Sequence, residues 1–281
     1  MQADTFQLPA PEFLTISSKP SAPISHTFIP ASSSNSKDKL VVFVNGLGLP
    51  AASWLPGILT LKTILPSPPA ILTYDRFGQG LTKARDPIDD QPGKELGHDL
   101  LDVAIDLHEI IQVIATTKLG LSEQDFESGK LQVLMIGASI GAPVARLYAQ
   151  RYMRIVAGMI LLDSNICNVN YSDIWPDPEA PGFDPKIVVD EDCTFEQYLE
   201  HRKKLVGMFD LRVKNPENLD RSNSPVLLPY ADSPMLVGPG GKGPFLSVVG
   251  HDPEAFANIG FAMMGTPKSL SRKFMNAYDP F

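Results

Sequence analysis

The sequence predicts an α/β protein with a mostly parallel central sheet and helices on both faces. Short apolar runs recur along the chain: LVVFV at 40–44, AILTYD at 70–75, LQVLMIG at 131–137 and VAGMILLD at 156–163. Runs of this length without polar alternation suit strands buried on both sides, as in parallel sheets. Stretches with helical spacing stand between them, so strand and helix alternate along the chain. A chain of 281 residues, 43% hydrophobic and 20% charged, suits one large globular domain, taken as 1–281.

The elements follow in order. The first thirty residues read as two short strands, near FLTIS and ISHTFI, joined by proline-rich segments. SSSNSKDK at 32–39 is a polar loop, and LVVFV then ends at Asn45-Gly46. AILTYD ends in DRFGQG. Apolar residues at 100, 103, 104, 107, 110, 111 and 114 form a helical stripe, with Gly120 as its C′ residue. LQVLMIG feeds a further helix through about Tyr152. After Asp163 the rhythm breaks. Residues 164–230 read as an insertion, a lid or cap over the sheet edge, carrying a helix whose Thr194 and Gln197 are spaced as a capping box. GPFLSVVGHDPEAFANIG then returns to strand, turn and helix.

Several function classes are disfavoured. The net charge is −8 and no basic cluster stands out, which argues against a nucleic-acid partner. The apolar runs fall short of the ~20 residues of a membrane span. The N-terminus has neither a positive n-region nor an apolar h-region, and the final DPF is not an S-K-L address. Cys167 and Cys193 form neither a disulfide framework nor a metal-ligand spacing, so a reducing, cytoplasmic setting is expected. No metal or organic cofactor is implied. Nothing in the sequence sets the oligomeric state.

The stretch MIGASIGAPVARLYAQRY carries the chemistry. GASIG at 137–141 is G-x-S-x-G between a buried strand and a helix. A serine there sits on a tight turn, and small residues on either side let the backbone cross closely. Ser139 is therefore the candidate nucleophile. The N–H of Ile140, at the helix start, and that of Leu47, after the Asn45-Gly46 turn, are candidate oxyanion donors. Asp75 and Arg76 read as turn-pinning residues, Trp54 and Trp175 as packing or lid anchors, and the two cysteines as buried.

These residues resemble the α/β-hydrolase family of the single-domain, cap-bearing kind. The resemblance rests on VVFVNGLGLPAASW, ILTYDRFGQG, MIGASIGAPVARLYAQRY, GMILLDSN and PFLSVVGHDPE. It implies a carboxylic ester or thioester substrate, water as acyl acceptor, and no cofactor. The wording is also similar to fungal hydrolases of secondary-metabolite gene clusters, including host-selective toxin pathways, which implies a small apolar metabolite. By that analogy a peroxisomal location stands beside the cytoplasmic one. The family's epoxide hydrolases and dehalogenases use aspartate at the elbow, and this chain has serine. It also has Asn45-Gly46 where the family usually has His-Gly, a histidine that is not the catalytic base.

A serine needs a base, and the fold's chain order is Ser, acid, His. His26, His98 and His108 precede the serine. His201 lies on the insertion helix, where helical patterning puts it on the solvated face. His251 follows the last apolar run. One alignment makes that run the last strand, with His251 as base and Asp163 as acid. The other makes it the penultimate strand with Asp252 as acid, and it matches the family's acid-bearing strand more closely. No histidine follows Asp252. On that alignment the last strand and helix are missing, and the chain reads as a shortened, catalytically silent member that binds a ligand.

Overall fold

The computed structural model describes residues 8–33 and 36–278. The first seven residues, 34–35 within the polar loop, and the terminal DPF lie outside, so the readings on the extreme termini are not addressed.

Nine strands are present among the described residues: β1 (Glu12–Ile16), β2 (Lys19–Ile29), β3 (Lys39–Val44), β4 (Ala70–Tyr74), β5 (His98–Asp99), β6 (Gln132–Ala138), β7 (Val156–Leu162), β8 (Leu219–Asp220) and β9 (Phe245–Val249). Seven form one sheet in the order β1-β2-β4-β3-β6-β7-β9, while β5 and β8 pair separately. β1, β2 and β4 meet in antiparallel pairs, and the rest are parallel. The mostly parallel sheet expected from the buried runs is thus present. β2 begins earlier than expected, and Pro20 and Pro23 fall within it. The β1–β2 register shifts between Leu14 and Ile16, opposite that stretch, which is where a sheet tolerates proline.

Alternation along the strands defines two faces. Val41, Phe43, Ile71 and Ile136 pack with Ile58 of helix α1 (Leu55–Ile64) and with Trp54. Leu40, Val42, Val44, Val133 and Met135 point the other way and are equally buried. Helix α2 (Leu100–Thr117) buries the expected stripe, and Asp99 caps it through the N–H groups of Leu101 and Asp102. Gly120 takes φ +67° just beyond the C-cap Lys118. Helix α3 (Glu123–Glu127) is short, and α4 (Gly141–Arg151) packs on β3, β6 and β7.

The chain divides into two compact units. The first holds both sheets: residues up to 165, 216–220 and 232–249. The second comprises 166–215, 221–231 and 250–281. Its helices are α5 (Tyr171–Ile174), α6 (Phe195–Phe209), α7 (Ser224–Leu227), α8 (Pro253–Met264) and α9 (Lys268–Tyr278). Thr194 and Gln197 form the capping box of α6. A small aromatic core joins Trp175, Tyr198, Leu270, Val188 and Cys193, with Phe274 stacked on Trp175 at 4.8 Å. His201 departs from expectation. It is buried on α6, facing the Gly265 backbone rather than water, because it follows Tyr198 by three residues and precedes Leu205 by four, on the one stripe that α6 buries in this unit. Burial lowers its pKa. Cys167 and Cys193 are both buried and are not joined in a disulfide.

Candidate functional site

The sheet order supplies the first clue. From β3 the chain moves to β4 on one side and later to β6 on the other. Adjacent strands whose connections leave in opposite directions open a crevice at their carboxyl ends. The turn after β3 carries Asn45-Gly46-Leu47, and the turn after β6 carries Ser139.

The β6 turn has the geometry that the glycines predicted. Ser139 takes φ +50°, a left-handed conformation that costs a non-glycine residue energy. Its N–H donates to Leu162 O at 3.0 Å, and its carbonyl accepts from Ala142 N at 3.0 Å. The flanking glycines are sterically required. A Cβ on Gly141 would lie 2.2 Å from Val44 O, and one on Gly137 would lie 2.6 Å from Gly141 O. Ile140 is buried and begins α4 without a side-chain cap, leaving the helix N-terminal N–H groups to other acceptors. Ser139 itself is only partly buried.

The β3 turn lies against it. The position a Gly46 Cβ would take is 3.5 Å from Ser139 Cβ. A buried polar network holds this turn. Asn45 Nδ2 donates to Tyr74 O and Gln79 Oε1, both at 2.8 Å, and its Oδ1 accepts from Trp54 Nε1 at 2.7 Å. Asn45 is thus a brace. Arg76 donates to Asn45 O at 2.6 Å and to Gly46 O at 3.0 Å, and Gln79 Nε2 also reaches Gly46 O at 3.0 Å. Asp75 accepts from Ala51 N at 2.7 Å and Leu81 N at 2.9 Å, pinning the adjoining turns. Glu217, only 1% exposed, closes the network, with Oε2 at 2.9 Å from Arg76 Nε. Sequence reasoning missed it. Its one signal was indirect: a buried arginine calls for a buried carboxylate, and the DRFGQG motif did not say which.

Asp163 stands at φ +46°, exposed, just past the end of β7. Its N–H donates to Val249 O at 2.8 Å. Since Ala138 and Leu162 are register partners, Asp163 follows the strand next to the elbow strand, and Asn165 N reaches Ser139 O at 3.3 Å. The first unit therefore brings Ser139, Ile140, the Gly46–Leu47 turn and Asp163 to one end of the sheet.

His251 and Asp252 belong to the second unit, two and three residues beyond β9. The His251 ring stacks on Phe256 at 4.3 Å. Asp252 is exposed and caps α8, accepting from Ala255 N at 2.8 Å. The histidines ahead of the serine sit elsewhere. His26 is buried in β2, His98 in β5 bonds Asp89 at 3.0 Å, and His108 in α2 stacks on Tyr152 at 3.6 Å. Burial pushes His108 down to about 4.

Among the described residues, no group of three or more His, Cys, Asp or Glu is arranged to hold a metal ion. No helix among them is long and apolar enough to cross a membrane.

Several solved structures are similar to this chain at low identity. An esterase from Thermogutta terrifontis shares 17% identity at a TM-score of 0.46, with 96% of this chain and 86% of that one covered. A carboxyl esterase from Bacillus coagulans shares 14% at 0.44, covering 95% and 97%. A monoglyceride lipase from Saccharomyces cerevisiae shares 15% at 0.39, covering 57% and 45%. This chain thus spans less than half of the yeast lipase, and 42% of the epoxide hydrolase CorEH. No curated protein matches it. A family model described as the alpha/beta hydrolase family matches residues 41–265, most of the chain. The chain belongs to the alpha/beta hydrolase family.

Proposed function

We propose that the protein is a serine hydrolase cleaving a carboxylic ester or thioester of a small apolar metabolite. The observation that carries this is Ser139 at φ +50° on the strand-to-helix turn, flanked by two glycines whose Cβ positions are blocked. Ser139 Oγ attacks the carbonyl carbon, and the N–H groups of Leu47 and Ile140 receive the oxyanion. His251 takes the serine proton and returns it to the leaving group. Asp163 orients that histidine. Water then releases the acyl group. The chain order Ser139, Asp163, His251 is the order this fold uses. Register supports Asp163 as the acid, since it follows β7, the strand paired with β6. The resemblance to fungal secondary-metabolite hydrolases is the ground for an apolar metabolite, as in toxin biosynthesis. A chain with only two cysteines, both buried, favours a reducing, cytoplasmic setting.

The test is turnover of p-nitrophenyl esters. Wild type should hydrolyse them, and Ser139→Ala should lose roughly 10⁴-fold or more in kcat. Equal turnover in both proteins sinks the proposal. A second reading, a silent ligand-binding member of the fold, is favoured by one observation: His251 and Asp252 both have local roles at the start of α8. Ligand binding with no turnover in wild type would establish it.

A further inference from the structure

We propose that Glu217 is a positioning residue that aims the Leu47 N–H at the reacting oxygen, an inference that rests on the serine-hydrolase reading. The argument begins with the peptide joining Gly46 to Leu47. A trans peptide is planar, so its carbonyl and its N–H point in opposite directions. The Gly46 carbonyl is held from one side by Arg76 Nη2 and Gln79 Nε2, each at 3.0 Å. The Leu47 N–H therefore points away from both. Gly46 lies against the elbow, so this peptide sets one wall of the crevice beside Ser139.

Both side chains that hold the carbonyl, which also accepts from Leu49 N at 3.4 Å, are themselves held by Glu217. Its carboxylate lies 2.9 Å from Arg76 Nε, 2.8 Å from Arg76 Nη2 and 2.9 Å from Gln79 Nε2. It also accepts directly from Gly48 N at 2.5 Å, one residue past Leu47. One buried carboxylate thus fixes the turn on both sides of the Leu47 N–H.

The segment bearing Glu217 is built into the first unit. Leu219 and Asp220 pair with His98 and Asp99, and Arg85 Nη1 donates to Pro216 O at 2.8 Å. A Cβ on Gly78 would come within 3.1 Å of Glu217 Cα, and one on Gly97 within 1.8 Å of Asn218 O. Both glycines take positive φ there. The chain leaves the second unit at 215, contributes these five residues and re-enters it at 221. The donor geometry of the candidate oxyanion site therefore depends on a carboxylate delivered by the linker between two parts of the other unit.

The test compares Glu217→Gln with the double variant Arg76→Met/Glu217→Met. The single change strands a buried arginine and can unfold the protein. The double change removes both charges and is the milder perturbation of the core. For each folded variant, kcat and KM are measured on a p-nitrophenyl ester, and amide exchange is followed at 45–49 and at 132–138. The expected result is a kcat loss of about 10²-fold, the scale of losing one oxyanion donor, with KM changed by less than about threefold. Exchange rises at 45–49 and stays unchanged at 132–138. A folded double variant with wild-type kcat and unchanged exchange at 45–49 overturns the proposal. Failure of the serine reading shows separately, as wild-type turnover that Ser139→Ala does not alter. In that case the exchange measurement alone decides whether Glu217 holds the turn.

Discussion

The turn after β3 and the segment after β9 lie at the carboxyl ends of strands in one sheet, yet they are specified very differently. Asn45, Arg76, Gln79 and Glu217 are all buried, and every one of them bonds the 45–48 turn or a partner that does. β3 itself sits in the middle of the sheet. β9 is an edge strand with all five residues exposed, and beyond it His251 stacks on Phe256 and Asp252 caps α8. Buried polar groups that lose a partner are costly, so the β3 turn has one accessible geometry. Side chains on an exposed segment carry no such constraint. The geometry of Ser139 and of the 45–48 turn is thus fixed by the core, whereas the proposed base lies beyond an exposed edge strand.

That contrast can be broken most severely at the base. His251→Ala should lower kcat about 10⁴-fold, and Asp163→Asn by a similar factor, since an amide holds the wrong histidine tautomer. Unchanged ester turnover in His251→Ala would remove His251 from the mechanism and leave the silent reading in its place. On the fixed side, Gly141→Ala forces a methyl group into Val44 O. It should cost roughly 3 kcal/mol and lower Tm by about 6–12 °C in a thermal melt. A melt within error of wild type would show that the elbow is not the tight crossing described above.

Two smaller effects sharpen the comparison. Burial holds His108 at about 4, below the 6.5 of an unfolded histidine. Between those values the unfolded chain binds the extra proton, so stability falls as pH drops from about 6.5 to about 4 and is fully present above that window. In His108→Gln the acid limb of a stability-versus-pH curve should be shallower over this range. An identical limb would mean that His108 titrates normally. Asp252→Ala removes the cap of α8 and should cost about 1 kcal/mol in denaturant unfolding, with kcat essentially unchanged. A large kcat loss would make Asp252, not Asp163, the acid.

The central strands and the tight β6–α4 turn were legible in the sequence because their constraints are local. Apolar runs mark β3, β4, β6 and β7, and Gly137 and Gly141 mark the crossing at Ser139. Asp75 was also readable as a turn pin, since Leu81 N lies within the same motif, and Arg76 beside it reaches the turn after the neighbouring strand β3. Glu217 was not, because it meets Arg76 across 141 residues of sequence, from a polar stretch with no periodicity. The β5–β8 pair escaped notice for the same reason: two residues on each side carry no pattern. His201 was misjudged because its charged neighbours Glu200 and Arg202 suggested a solvated face, whereas its spacing from Tyr198 and Leu205 puts it on the buried stripe of α6.

The most direct test of the account is covalent labelling with a fluorophosphonate, followed by mass spectrometry of the peptide containing 137–141. The account predicts a stoichiometric adduct on Ser139 in wild type and none in Ser139→Ala. Absence of any adduct in folded wild-type protein, or an adduct that persists in Ser139→Ala, would contradict it.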